Sequence, residues 1–224
     1  MSAALDRPCW SALTGPQAAL ARHHGRALRI DPGYGPFAAA EPGHEADLVG
    51  LLRDTADEIW LIEPHAVAAP PGTRVRRIAQ LMQMVAEGEV DAPDDARITE
   101  LGEADAAAMT RLALATKPGP WGPLTRHYGP FHGVHRGGAL VAMAGERMRP
   151  ADTMIEVSGV CTDPAHRGQG LAARLIRRVM AGHRARGAAS FLHSYADNAG
   201  AIALYRSLGF APRAELVVTV IGKE

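Results

Sequence analysis

The chain has 224 residues, 47% of them hydrophobic and 21% charged, and its 24 Lys+Arg balance 24 Asp+Glu. That length supplies one large domain or two small ones with proper cores, while zero net charge removes the usual electrostatic case for a nucleic-acid or anionic-membrane partner. Two cysteines, Cys9 and Cys161, make no disulfide framework, and neither a basic N-terminal region nor an apolar run of membrane-span length is present, so the expectation is a cytoplasmic, soluble protein.

In chain order, Cys9-Trp10-Ser11-Ala12-Leu13 leads into a predicted short helix around Pro16–His23. Ala27–Ile30 reads as a strand closed by the turn-rich Asp31–Pro36. Asp47–Arg53 is helix-like, and Glu58–Ile62 (EIWLI) is a buried strand. After Pro70-Pro71-Gly72, apolar Ile78, Leu81, Met82 and Val85 recur at helical spacing, which predicts a helix over Arg76–Glu87. The alternation suggests a smaller α/β domain over residues 1–96, bounded by the acidic, proline-containing Asp91–Asp95. From Arg97 the pattern reads strand (Arg97–Leu101), helix (Asp105–Thr116), a Gly/Pro/aromatic loop (Trp121–Pro130), then a hairpin of His132–Arg136 and Ala139–Arg147 around Gly137-Gly138.

The most informative stretch follows, Met154–Ala173. Its apolar, β-branched Ile155–Cys161 reads as a strand. A turn at Asp163-Pro164 and then Arg167-Gly168-Gln169-Gly170 open a helix that carries Leu171, Leu175, Ile176, Val179 and Met180 on one face and stops at Gly187. Glycines at a helix entrance let backbone N–H groups approach a ligand, and the unpaired donors and dipole of the first turn suit a phosphate or pyrophosphate. A Walker A loop requires Gly-Lys-Ser/Thr, and no Lys lies nearby. The dinucleotide fingerprint G-x-G-x-x-A fits Gly168–Ala173 in letters. However, Asp163–Arg167 separate it from its strand, and the acidic ribose partner about 20 residues on is missing. Downstream come a strand at Ala189–His193, a helix at Ala199–Leu208 capped by Gly209, and a closing strand at Glu215–Ile221.

What fits is R-x-x-G-x-A at Arg167, Gly170 and Ala172, on strand, loop and helix. This resembles the coenzyme A pyrophosphate loop of the GNAT superfamily of N-acetyltransferases. Asn198 through Phe210 is similar to the same family's N-x-x-A-x-x-L-Y-x-x-x-G-F signature. The resemblance covers residues 97–224 and implies an α/β (α+β) acyl-CoA N-acyltransferase fold: a mixed, mostly antiparallel sheet flanked by helices, with the smaller domain preceding it, read as a degenerate half of the same kind although no sequence repeat supports that. A further C-terminal strand common in the family is not evident.

The resemblance implies acetyl-CoA as cosubstrate, no metal, and direct acetyl transfer to the primary amine of a small molecule or peptide, by a monomer or homodimer. Backbone N–H groups of Gly168, Gln169, Gly170, Leu171 and Ala172, with Arg167, would hold the pyrophosphate. Val160, Cys161 and Thr162 would offer strand backbone to the pantetheine, with an N–H near Val160 or Cys161 polarising the acetyl carbonyl. Tyr205 would protonate the departing thiolate, a workable task for a phenol, or serve as a core aromatic. Asn198 would bond the pantetheine, cap its helix, or both. Glu156 and His193 are rival general bases, since a protonated amine has no lone pair with which to attack. Cys161 reads as a small buried residue rather than a nucleophile. His127, His132 and His135 lack a companion acid or Cys for a metal site and read as surface or loop histidines. Trp121–Phe131 falls where the family forms its acceptor pocket. A coenzyme-binding regulatory module without turnover is the alternative from another class, and a nicotinamide-dependent oxidoreductase a more distant one.

Overall fold

The computed structural model describes residues 3–52, 58–88 and 95–224. Most of the expected boundary at Asp91–Asp95, and Arg53, lie outside those residues. The elements are α1 (Pro8–Thr14), β1 (Ala21–His24), β2 (Ala27–Ile30), β3 (Phe37–Ala40), α2 (Leu48–Leu51), β4 (Glu58–Glu63), β5 (Thr73–Ala86) and β6 (Ile98–Leu101). They continue with α3 (Ala106–Thr116), β7 (Phe131–Arg136), β8 (Ala139–Glu146), β9 (Met154–Thr162), α4 (Leu171–Ala185), β10 (Ala189–Tyr195), α5 (Ala199–Ser207) and β11 (Phe210–Lys223).

All eleven strands join one sheet in the order β1-β2-β3-β4-β11-β5-β10-β9-β8-β7-β6. Two neighbour pairs are parallel, β3–β4 and β9–β10. The rest are antiparallel, the mixed and mostly antiparallel sheet expected of the resemblance. Each parallel pair is joined through a helix, α2 or α4. About the sheet centre the halves mirror one another: β3∥β4 then β11 on one side, β9∥β10 then β5 on the other. The C-terminal strand β11 thus lies between β4 and β5, and β5 from the N-terminal part lies between β11 and β10. The position beside β10 that no C-terminal segment fills is filled by β5.

Two sequence expectations fail in the N-terminal part. The helix placed at Pro16–His23 is instead α1 at Pro8–Thr14, started by Pro8 at its first turn, while Ala21–His24 is an edge strand. The helix placed at Arg76–Glu87 is the long strand β5. Its apolar residues look helical because the strand is covered on both faces toward its C-terminal end. Leu81 joins the core with α1, and Met84 joins the core with α4. A strand buried on two sides loses the period of two by which strands are recognised. Strand β3, Phe37 followed by the small residues Ala38-Ala39-Ala40, is the further element the sequence pattern misses.

The helices divide by face. α1 and α3 pack on one side, against Leu28, Phe37 and Ile62 and against Leu101, Phe131 and Met143 respectively. α2 and α4 pack on the other, with the end of α5, over Leu61, Ala142, Ala144 and Leu192. The apolar face read in α4 is the buried one, from Leu171 to Met180. Its exit is Gly187 at φ 73°, a left-handed conformation in which a Cβ is strained.

The register of β5 makes a stability contrast. Met84 is fully buried while Ile78, on the same face six residues earlier, is 52% exposed. Met84→Ala is expected to lower unfolding free energy by about 2–5 kcal/mol, and Ile78→Ala by no more than about 0.5 kcal/mol, read from urea midpoints.

Candidate active site

Strand β9 pairs with β10 over only three registered positions, Met154↔Ala189, Ile155↔Ser190 and Glu156↔Phe191. Beyond them both strands continue, β9 to Thr162 and β10 to Tyr195, without a bond between them. β10 turns to β5 instead, pairing from Phe191↔Val85 to Tyr195↔Leu81. The divergence opens a cleft of about 660 Å³. Gly159, at φ 61°, sits in β9 where its pairing with β8 shifts register, and its missing Cβ leaves room for the Phe131 ring.

One end of the cleft carries the residues singled out by both motifs: Val160, Cys161, Thr162, Arg167, Ala172, Asn198 and Tyr205 line it together. Gly168 and Gly170 adopt φ of 76° and 70°, so both require glycine, and the space where their side chains would stand is open. No side chain caps α4, whose first-turn N–H groups have no intrahelical partner. Asp163 N–H donates to Val141 O on β8. Alternation along the strand therefore turns the N–H groups of Thr162 and Val160, rather than that of Cys161, toward the open edge. Asn198 caps α5 by accepting from Ala201 N–H at 3.2 Å and still lines the cleft. Tyr205 packs edge-on against Phe210, and burial raises its phenol pKa, which keeps it a proton donor. Burial pushes the Cys161 thiol up to about 11, so it is not a thiolate.

Beneath the cleft lies a chain of buried polar groups. Glu156 has no exposed surface. Arg147 donates to it through Nε at 2.8 Å and Nη2 at 2.7 Å, Met148 N–H at 3.3 Å, and His193 Nδ1 lies 2.7 Å from Oε1. Burial by itself raises this carboxyl, but the Arg147 charge and hydrogen bonds, helped by His193, hold it well below the usual carboxylate range. The network continues into the N-terminal part. Gln83 of β5 contacts His193 Nε2 at 3.0 Å and donates to Leu5 O at 2.9 Å, while its Oε1 accepts from Arg213 at 2.9 Å. Arg213 only donates, so Gln83 Oε1 is the acceptor and both amide hydrogens are spent, on Leu5 O and His193 Nε2. His193 Nε2 is therefore the acceptor, and Nδ1–H donates to ionised Glu156. Sequence reading brought Glu156 and His193 forward as rivals; they form one unit.

The other end of the cleft is lined by Phe37, Trp60, Ile62, Leu81, Arg147 and Tyr195. None of these was read from the sequence as a site residue. Trp60 stood inside a strand read only as buried, and Leu81 and Gln83 stood inside the mistaken helix. The Trp121–Phe131 segment expected here contributes differently. Trp121 and Phe131 pack edge-on in the core beneath α3, Tyr128 is buried, and the loop just before them, Thr116–Pro120, reaches the cleft. His127 is exposed, His132 is buried, and His135 lies 3.3 Å from Asp105. Among the described residues no group of three or more His, Cys, Asp and Glu is placed to hold a metal.

The comparisons with known proteins agree with this geometry. Residues 100–210 match the acetyltransferase (GNAT) family. Over 125 residues the chain is 35% identical to the N-alpha-acetyltransferase RimI of Mycobacterium tuberculosis, covering half of this chain and 77% of that protein. The chain belongs to the GNAT family of acetyltransferases. GNAT enzymes are acyltransferases that use acetyl-CoA as cosubstrate. A crystal structure from Novosphingobium aromaticivorans assigned to the GNAT family matches all of this chain over all of its own, at 58% identity and a TM-score of 0.96. A GCN5-related N-acetyltransferase from Kribbella flavida shares the fold at 21% identity and a TM-score of 0.57, over 91% of this chain and 88% of that one. No helix among the described residues is long and apolar enough to cross a membrane.

A second polar cluster sits away from the cleft. His183 Nδ1 lies 2.8 Å from Ser190 Oγ and its Nε2 3.5 Å from Glu146, which also binds Arg186 and Arg149. The order Ser–His–acid evokes nucleophilic catalysis, but Ser190 and His183 are buried, so the cluster is structural. Burial would raise the Glu146 carboxyl, yet His183 and Arg186 bring it to about 2, and burial lowers His183.

These groups set a pH dependence. Glu146 and Glu156 have native pKa values depressed below their ordinary 4.5, and His183 below 6.5. The native state then binds fewer protons than the unfolded chain, so stability is full above those ordinary values and falls as pH drops through them. Denaturation midpoints are expected to decline from about pH 6.5 and steeply below about pH 4.5. Glu156→Gln leaves buried Arg147 uncompensated and is expected to remove about 3–5 kcal/mol at neutral pH, with a shallower acid limb.

Proposed function

We propose that this GNAT protein transfers the acetyl group of acetyl-CoA directly to a primary amine of a small molecule or peptide. The observation that carries the reading is the coincidence, in one cleft, of the splayed β9–β10 edge, the uncapped glycine entrance to α4 and Tyr205. The relative's name, an N-alpha-acetyltransferase, supports an amine acceptor.

The site fits acetyl-CoA: two positive-φ glycines leave a cradle that a Cβ would occupy, and the first turn of α4 offers donors to a pyrophosphate. Gly168, Gln169, Gly170, Leu171 and Ala172, with Arg167, would hold that group, and Val160, Thr162 and Asn198 the pantetheine. When bound, the coenzyme supplies an activated thioester. Val160 N–H, on the open edge of β9, is the donor placed for the acyl oxygen. Tyr205 supplies the proton for the sulfur. His193 takes the amine proton at Nε2. Glu156 orients the ring and stabilises its charge without touching the acceptor, and Gln83 holds the lone pair in place until the amine competes for it. Cys161 forms no covalent bond.

We also propose that residues 1–96 form a degenerate half of the same kind as residues 97–224, supported by the mirrored order about the sheet centre. The corresponding gap beside β3 and β4 is lined by Arg7, bonded to Glu63 and Ala40 O, and its loop carries Glu41, Glu45 and Asp47 around one glycine, Gly43. The carboxylates of that loop disfavour a pyrophosphate there, and one coenzyme per chain is the expected stoichiometry.

Acetyl-CoA and coenzyme A, at one hundred times the dissociation constant, are expected to add about 2.7 kcal/mol of stability. That gain should vanish in Gly168→Glu/Gly170→Glu, while NAD adds nothing. Tyr205→Phe is expected to lower kcat about 100-fold or more with coenzyme binding retained, and Cys161→Ala to leave kcat within about twofold. Stabilisation by NAD alone would refute the coenzyme assignment.

A further inference from the structure

The acceptor end of the cleft is built by the N-terminal strands. From β10 the order outward is β5, β11, β4, so Trp60 on β4 stands three strand spacings, about 14 Å, from the coenzyme-facing strand. Cross-strand partners share a face. Trp60 is paired with Phe37 on β3 and Val220 on β11, Ile62 with Val218, and Leu81 with Leu216 and Tyr195. One continuous apolar and aromatic wall results, extending from beside His193 to the far side of β4.

The charged side chains that line the cleft are cationic, and the nearest carboxylates, Glu58 and Glu156, are bonded to Trp60 Nε1 and Arg147. Lys117, Arg147 and Arg167 line the cleft, and among the described lining residues there is no Asp or Glu. Glu156 lies beneath, without exposed surface, and its charge and that of Arg147 offset one another. Glu58 accepts from Trp60 Nε1 at 2.7 Å. The aromatic faces are also already engaged by cations. Arg77 stands 4.8 Å from the Trp60 centroid and 5.3 Å from that of Tyr195, with Nη2 2.7 Å from Tyr195 Oη, and Arg147 lies 4.7 Å from the Phe37 centroid. An aromatic cage attracts a ligand ammonium only if its ring faces are free. Here each ring already has a guanidinium beside it, and a second ligand ammonium would meet those guanidinium groups.

We infer that the acceptor is a monoamine on an aromatic or aliphatic body, with no second cationic group and with any remaining polar group neutral or carboxylate, bound against the Phe37–Trp60–Leu81 wall. This rests on the acetyltransferase reading above and adds to it the class of amine. It separates this cleft from one suited to polyamines or aminoglycosides, whose several ammonium groups need carboxylates along the wall. The same chemistry is presented by a free amine and by a peptide with an apolar first residue.

The test uses the full chain with acetyl-CoA, following thiol release with 2-phenylethylamine, phenylalanine, a tripeptide with N-terminal phenylalanine, spermidine and kanamycin. Separately, each amine is titrated into the coenzyme A complex while tryptophan emission is followed. The expected result is turnover of at least one apolar monoamine with kcat/KM at least tenfold above spermidine and kanamycin, and an emission change that is absent in Trp60→Phe. The free amine and the peptide arms tell which source is used. Trp60→Glu, a half-exposed position, adds a carboxylate to the wall and is expected to narrow that ratio at least tenfold. Failure of acetyl-CoA to raise the thermal midpoint would sink the transferase reading itself. With coenzyme binding intact, spermidine or kanamycin turned over as well as the apolar amines, or no apolar monoamine either binding or reacting, overturns the inference.

Discussion

A carboxylate with no exposed surface must be neutralised where it stands, and the way Glu156 is neutralised ties the molecule together. Its two oxygens face the Arg147 guanidinium at the end of the β8–β9 hairpin and the His193 ring on β10. His193 in turn rests on Gln83 of β5, and Gln83 on Leu5 and Arg213. In so short a path the network joins the central strand of the coenzyme-facing half to the N-terminus and to β11. Removing one partner from a buried, charge-compensated set leaves the others desolvated and unpaired, so such a set is sensitive to every member. The ring that the reading casts as base is thereby fixed in tautomer by residues from both parts of the chain.

The sheet makes the same point by pairing. β5 and β11 lie side by side along thirteen registered positions and each is held on its other edge by a strand of the opposite part. The apolar wall of the cleft, which includes Phe37, Trp60 and Leu81 alongside Tyr195 and Val218, exists because of that exchange. The end of the cleft that carries the two motifs is local to β9, α4, β10 and α5; the other end is a composite.

How much of this the sequence disclosed follows from the range of the interactions. The loop at Arg167–Ala172 and the α5 signature are local: glycine conformation, helix entry and a capping Asn act within a few residues, and those conformations are found where the sequence put them. The amphipathic face of α4 is also legible, since it is buried on one side only. β5 is not, because burial on both faces erased its alternation and left Ile78, Leu81, Met82 and Val85 at a spacing a helix shares. The composite wall was illegible for the same reason: Trp60 and Leu81 signify little until β11 sets them side by side. Gln83 shows the limit most plainly, as its importance rests on a partner 110 positions away.

The interleaving of β4, β11 and β5 also bears on how the chain is made. β11 follows the other ten strands in sequence, yet its place is the middle of the sheet. Until β11 is synthesised, the edges of β4 and β5 that it joins in the finished sheet lack the partner that pairs with them there. Such long-range closure is slow and leaves unpaired edges available to neighbours in the meantime. Arg74, Arg76 and Arg77 on β5, and the acidic ends of β4 at Glu58 and Glu63, put charge on those waiting edges. Charge of one sign along an exposed edge discourages its pairing with a copy of itself.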